Sequence, residues 1–325
     1  MYGHFPILQV LIPLMAAPLA ALTRKGGAAW LISVLATWAT FGVAIRLLVQ
    51  VLDSGTILYA IGGWAAPFGI EYKVDIVSAY VLVVVSAIGA IVTPYALLSV
   101  RREVGAKQAS LLYSALLLCL SGVLGITITG DLINLFVFVE SSSISAYALI
   151  AMGPDRRALH ASYKYLIMGS IGATFIVIGI GMMYMMTGTL NMADLAIRLP
   201  FGSRTVSVAF AFLAVGISLK LALFPLHQWL PDAYAYAPST VTAFLASTAT
   251  KVAVYVLLRV FFSIFGVVFT FETMALQWTL LPLALVAVLS ASLTAIYQGN
   301  IKRLLAYSSV AQIGYMIICL LYTSD

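Results

Sequence analysis

Residues 214–241, AVGISLKLALFPLHQWLPDAYAYAPSTV, decide how this chain can fold. The stretch begins as an apolar helix that carries a charge, Lys220, inside it. Three prolines follow at short spacing, Pro225, Pro231 and Pro238. Proline has no backbone N–H, and its ring collides with the turn before it. In water the freed carbonyls would simply be hydrated; inside a bilayer they must find side chains, protein or enclosed water. A helix broken beside a buried lysine is the arrangement from which membrane transporters build sites at the bilayer midplane. His227 sits just past the first break, where an unperturbed pKa near 6.5 suits it to pass protons. A satisfied packing histidine is the alternative at that position.

Bulk composition puts the rest of the chain in the same setting. Of 325 residues, 63% are hydrophobic and 9% charged, and the mean hydropathy is +1.08. A soluble domain is nearer half apolar and a quarter charged. The net charge of +6 is not a nucleic-acid footprint, because no basic face with interleaved aromatics exists and the positives fall in short loops. Cys119 and Cys319 show neither metal spacing nor a disulfide framework. The N-terminus, MYGHFPILQV, lacks a basic n-region, so its apolar run is expected to be a retained span.

The fold class expected is an all-α polytopic membrane protein with about ten transmembrane helices, each of about 20 apolar residues. They are placed at 5–22, 28–52, 76–99, 109–129, 132–151, 164–187, 206–226, 239–265, 274–298 and 302–321. The longest connections are 53–75 and 188–205. Within the first, YAIGGWAAPFGIEYKVD (59–75) has Gly-Gly, a proline and alternating apolar residues, the pattern of a short hairpin at the membrane surface. Arg24 and Lys25 follow the first helix, Arg101, Arg102 and Lys107 the third, Arg156 and Arg157 the fifth, and Lys302 and Arg303 the ninth. The opposite loops hold Lys73, Arg198 and Arg204. The positive-inside rule makes the richer side cytoplasmic and the N-terminus external.

Three charges lie deep in these helices: Glu140 in LINLFVFVESSSIS (132–145), Lys220 and Lys251. Lys251 is about a dozen residues from either end of its helix, roughly 18 Å at 1.5 Å per residue. A lysine stem cannot snorkel that far. Placing such a residue at the bilayer centre costs about 2.5–3.5 kcal/mol on insertion scales. An ion pathway would account for all three; a buried ion pair or triad that only fixes packing is the alternative, although two lysines against one carboxylate leave a surplus charge. The chemistry available is proton transfer. Desolvation lowers a lysine's pKa and a nearby carboxylate raises it, so small movements decide whether the proton is held. No catalytic residue, metal ligand or cofactor site is expected, since the sequence has no G-x-G-x-x-G, P-loop, cysteine cluster or metal-spaced histidine pair. The glycines of GSIGATFIVIGIG (169–181) suit close helix packing. The methionines of GMMYMMTG (181–188) read as lipid-facing or core residues, not as a copper site.

Three segments carry a resemblance: GDLINLFVFVE (130–140), LKLALFPLHQWLPDAYAYAPSTVTAFLASTATKVAVY (219–255) and NIKRLLAYSSVAQIGYM (300–316). They resemble the antiporter-like membrane subunits shared by Mrp-type cation/proton antiporters, respiratory complex I and membrane-bound hydrogenases; the first segment looks most like the D-type component of Mrp antiporters. The resemblance implies that Glu140, Lys220, Lys251 and His227 form the proton-translocation path. Glu140 would set the proton affinity of Lys220, Lys251 would belong to the central polar axis, and His227 would follow the helix break. It implies an inverted-repeat fold of about fourteen helices with a broken seventh. On that plan 1–108 hold the first three helices, 109–265 the first repeat and 266–318 the start of a second. The last seven residues, CLLYTSD, resemble a translated sequencing adapter, and 319–325 are expected to be an artefact. The expected partners are other membrane subunits of a hetero-oligomeric antiporter or redox complex, the lipid bilayer, protons, and sodium or potassium; no nucleic acid is expected. The expected function is a proton-translocating subunit of a multisubunit monovalent cation/proton antiporter in a prokaryotic inner membrane. The alternative is the same role in a complex I-like NADH-quinone oxidoreductase or a membrane-bound hydrogenase. In either case the chain itself would bind no cofactor.

Overall fold

The computed structural model describes residues 2–23 and 25–322. Arg24 of the first basic loop and residues 323–325 of the suspect tail lie outside the described residues. In chain order the elements are α1 (Phe5–Leu22), α2 (Gly26–Ser54), β1 (Ile57–Ala60), β2 (Glu71–Val74), α3 (Ile76–Glu103), α4 (Ala109–Ile128) and α5 (Leu132–Ala151). Then follow α6 (Arg157–Thr187), α7 (Met192–Arg198), α8 (Arg204–Leu221), α9 (Leu230–Tyr236), α10 (Ser239–Leu258), α11 (Gln277–Ile296) and α12 (Ile301–Tyr322). Between α10 and α11 run two wide π-turns, Arg259–Ile264 and Val268–Thr273. Among the described residues, ten helices are long and apolar enough to cross a membrane, as the composition requires; in the eighth, α10 continues into its π-turn as a span over Ser239–Ile264.

The chain divides into two compact units. The first comprises residues 1–162 and 236–252. Here α1 packs on α2 and α4, α2 on α3, and α4 on α5. The central element is α4: 83% of its most apolar 18-residue window is buried, against 33% for α2. A helix that is apolar all round and enclosed by others is a bundle core. On α1 and α2 the apolar residues that stay exposed, such as Leu19, Leu35 and Trp38, form the surface a bilayer would cover. Hydroxyls buried in these helices bond to their own backbone: Ser33 Oγ donates to the Ala29 carbonyl (2.9 Å), Thr40 Oγ1 to Ala36 (2.7 Å) and Ser86 Oγ to Leu82 (2.6 Å). With no water at that depth, this is how a serine or threonine is satisfied without a second helix.

The 53–75 connection folds as the expected hairpin. β1 and β2 pair antiparallel with Ile57 opposite Val74 and Ala60 opposite Glu71. Tyr72 bridges to Thr129, and Gly130 N donates to the Glu71 carbonyl (2.9 Å), which ties the hairpin to the start of α5. Tyr72 is buried there, and that burial pushes its phenol up to about 12, against the opposing pull of the Asn134 side chain. A capping box starts α3: Asp75 accepts from Ser78 N (2.9 Å), and Asp75 N donates to Ser78 Oγ (2.8 Å).

The second unit comprises residues 163–235 and 253–325. Small residues bring α6 and α8 together: a Cβ on Gly216 would lie 2.7 Å from the Gly172 carbonyl oxygen. Gly172 belongs to the glycine-rich stretch of α6, so close packing is its role. The π-turns gather an aromatic cluster in which Phe210 of α8 meets Phe265 edge-on at 4.9 Å and Phe261 at 5.3 Å. Gly266 joins the two turns with φ of 76°, a conformation glycine adopts without strain. Along the chain's last two helices, α11 packs on α12.

Candidate functional site

The broken helix is built at its C-terminal end by backbone chemistry. Although the apolar run suggests a helix over 206–226, α8 stops at Leu221, before the first proline. Pro225 has no N–H to give the Leu221 carbonyl, and the residue before a proline, Phe224, is pushed out of helical geometry. Ala222 turns left-handed (φ 61°, ψ 41°), its N–H returns to Leu219, and Leu223 N donates to the Ser218 carbonyl (3.0 Å). These two bonds make a Schellman cap, usually closed by glycine. The Leu219 carbonyl also accepts from the indole N–H of Trp229 (3.2 Å). The break therefore satisfies the carbonyls of Ser218 and Leu219 from within itself, as a membrane interior demands.

Lys220 occupies the last turn of α8, half-buried, immediately before this cap. Gly172 of α6 approaches its stem: a Cβ there would lie 3.7 Å from Lys220 Cγ. His227 lies in the break, half-buried, with its ring stacked near Phe224 (5.3 Å) and edge-on to Tyr307 (6.5 Å). Its Nδ1 is buried and has no hydrogen-bond partner among the described residues. An imidazole nitrogen free to accept can take and return a proton.

Glu140 and Lys251 belong to the first unit. Glu140 is the ninth of the 20 residues of α5 and is half-buried. α5 is started by Asp131, whose side chain accepts from Asn134 N (2.9 Å). Burial holds the Asp131 carboxyl above the usual carboxylate range, partly offset by that N–H. A run of serines follows Glu140, and Ser142 and Ser145 donate to the carbonyls of Val139 (2.9 Å) and Ser141 (2.8 Å). Gly122 of α4 admits α5 at close range, since a Cβ there would lie 2.8 Å from Ser142 N. Lys251 is the thirteenth of the 26 residues in its span, half-way across. Its ammonium donates to the Ala246 carbonyl (2.7 Å) and to Thr250 Oγ1 (3.3 Å). Thus Lys220 and His227 share one unit, and Glu140 and Lys251 the other.

Sequence reasoning passed over Lys164 and Asp232, and gave Arg303 no part in the break. Asp232, in the first turn of α9, pairs with Lys164 of α6 (2.9 Å) and with Arg303 of α12 (3.3 Å). Arg303 reads in the sequence as an orientation charge, and the contact between Lys164 and Asp232 spans 68 residues. No local pattern signals a pairing at that range.

Residues 129–325, which contain the whole of this constellation, match the family described as NADH:quinone oxidoreductase/Mrp antiporter, transmembrane. The chain belongs to that family. It is 40% identical over 98% of its length to NADH-quinone oxidoreductase subunit N of Desulforudis audaxviator, and 32% identical over 97% to the D-type component of the Na+/H+ antiporter of Bacillus subtilis. It covers 64% and 63% of those two proteins. Among solved structures it resembles a chain of the membrane-bound sulfane sulfur reductase, an archaeal respiratory membrane complex, with a TM-score of 0.88 and 32% identity, over 97% of this chain and 64% of that one. The family members named here come from both antiporter and respiratory assemblies, so membership fixes the membrane fold and leaves the driving reaction to be argued.

Proposed function

We propose that this chain is a proton-translocating membrane subunit of a multisubunit monovalent cation/proton antiporter. The observation that carries the reading is the break in α8: a lysine in the last turn of a membrane helix, a left-handed Schellman cap after it, and a buried imidazole nitrogen with no hydrogen-bond partner among the described residues. In this reading Glu140 sets how firmly Lys220 holds its proton, His227 relays protons at the break, and Lys251 receives them half-way across the membrane. Lys251 supports the role by its depth, where a charge with no task would be costly. The chain works beside other membrane subunits, in a prokaryotic inner membrane, with its N-terminus outside. Sodium or potassium is the counter-ion of the exchange.

A second reading has its own support. The relative that is 40% identical is named for NADH-quinone oxidation, and the solved chain at TM-score 0.88 comes from a respiratory complex. There the same residues would move protons driven by electron transfer in partner subunits. One experiment separates the readings. The complete assembly is studied in inverted membrane vesicles with a pH-sensitive dye. Adding sodium or potassium to vesicles with an imposed ΔpH should dissipate it with no electron donor present, and Glu140→Gln should abolish the response. Acidification that requires an electron donor and ignores the cations would favour the respiratory reading. Wild-type transport by Glu140→Gln would remove the role of Glu140 in both.

A further inference from the structure

The break is gripped from two sides. On α6, the adjacent Lys164 and Tyr165 each take hold of it: Lys164 Nζ pairs with Asp232 Oδ2 at 2.9 Å, and Tyr165 stacks flat on Trp229, with centroids 4.0 Å apart and planes 3° from parallel. On α12, Arg303 and Tyr307 lie one turn apart and do the same: Arg303 pairs with Asp232 Oδ1 at 3.3 Å, and Tyr307 meets the ring of His227. Each helix thus contributes one cation and one ring, and both cations share a single carboxylate. All of these residues belong to the second unit.

A lone pair at this exposure would count for little: the side chains of Lys164 and Arg303 are 44% and 36% exposed, and such pairs are weakened by solvent. The shared carboxylate changes the arithmetic. Removing it does more than cut two contacts, since it leaves two cations converging on one spot with nothing between them. Asp232 is also three residues from Trp229, whose indole closes the α8 cap. A shift of α9 would therefore be felt at the Lys220 turn and at His227.

We infer that Asp232 is a positioning residue, whose carboxylate holds Lys164 and Arg303 together so that α6 and α12 fix the Lys220–His227 break in its transport-competent shape. This inference rests on the proton-transport reading above for its functional half. Its structural half can be tested without transport.

Gln228 is exposed in the break and can be replaced by cysteine as a reporter. The background carries Cys319→Ser; Cys119 is buried and stays. In vesicles bearing the complete assembly, the rate of reaction with N-ethylmaleimide reads how open the break is. Asp232→Asn is expected to raise that rate at least about threefold and to lower transport about tenfold, within the range of measured coupling between neighbouring sites. Asp232→Glu should restore both. If Asp232→Asn does not fold, Lys164→Gln and Arg303→Gln replace it; each should raise the labelling rate, and the double variant should do so by less than the two effects combined, because they share one carboxylate. An unchanged rate in Asp232→Asn, or in both lysine and arginine variants, overturns the inference. A raised rate with unchanged transport overturns it as well, since the clamp would then have no bearing on the path. Transport that survives Glu140→Gln is a different failure, one that removes the transport reading and leaves the labelling series to judge the clamp.

Discussion

Ala222 carries a local conflict between sequence and structure. It ends α8 at a φ of 61° with its side chain fully buried, a backbone state that costs an L-residue about 1–2 kcal/mol and glycine almost nothing. Ala222→Gly should therefore raise the unfolding free energy by about 1 kcal/mol, seen as a higher thermal midpoint in detergent, with transport retained. The same residue shows where reading a sequence fails. Alanine is the strongest helix former, so nothing marks it as a helix end, and the proline three residues later was the stronger visible signal. The charged candidates behaved differently. Glu140, Lys220 and Lys251 stand out in any reading, because an ionised group in an apolar run has a large free-energy cost that demands a reason. Asp232 could not be seen in this way. It sits in the first turn of α9, an ordinary place for an acidic residue, and its significance comes from two partners distant in the chain.

At the scale of elements, the hairpin and the helices were legible because their signals are local. Gly-Gly followed by alternation gives the hairpin, and uninterrupted apolar runs give the spans. α7 was not anticipated. It is seven residues long, capped by Asn191 through Ala193 N (3.0 Å) and Asp194 N (3.1 Å), and braced by Arg198 on Asp194 at 2.7 Å. The π-turns were hidden too, since RVFFSIFGVVFTFET (259–273) has no polar period to tell an i→i+5 ladder from a helix. The contact of α6 with α8 offers a test. A valine at Gly216 would bring atoms to within 2.7 Å of the Gly172 carbonyl and of Ile176 Cγ1, so the helices must separate. Gly216→Val should destabilise the protein by about 1–3 kcal/mol, measurable as a lowered thermal midpoint and reduced recovery of the assembly. Gly181 of the same glycine-rich stretch has open space around it, and Gly181→Ala should be near neutral.

For the whole molecule, composition points to a membrane protein, and the apolar runs along the chain give the ten helices that, among the described residues, are long and apolar enough to cross a bilayer. Orientation is argued from the basic loops, and it makes a direct prediction. In right-side-out vesicles lacking Cys319, a membrane-impermeant maleimide should label Phe68→Cys, at the exposed tip of the hairpin, and should fail to label Lys107→Cys until the vesicles are opened. The reverse pattern would invert the topology and place the basic loops outside. The measurement that bears most directly on the function concerns Lys220. In the complete assembly, cation-driven collapse of an imposed ΔpH is compared for wild type and Lys220→Met, with equal amounts of assembled complex verified in each membrane. The account predicts a loss of at least about tenfold in Lys220→Met, since a step carried by a positioned proton donor and acceptor is removed. Wild-type exchange by Lys220→Met would contradict it, and would mean that the broken helix is a feature of packing and not of the proton path.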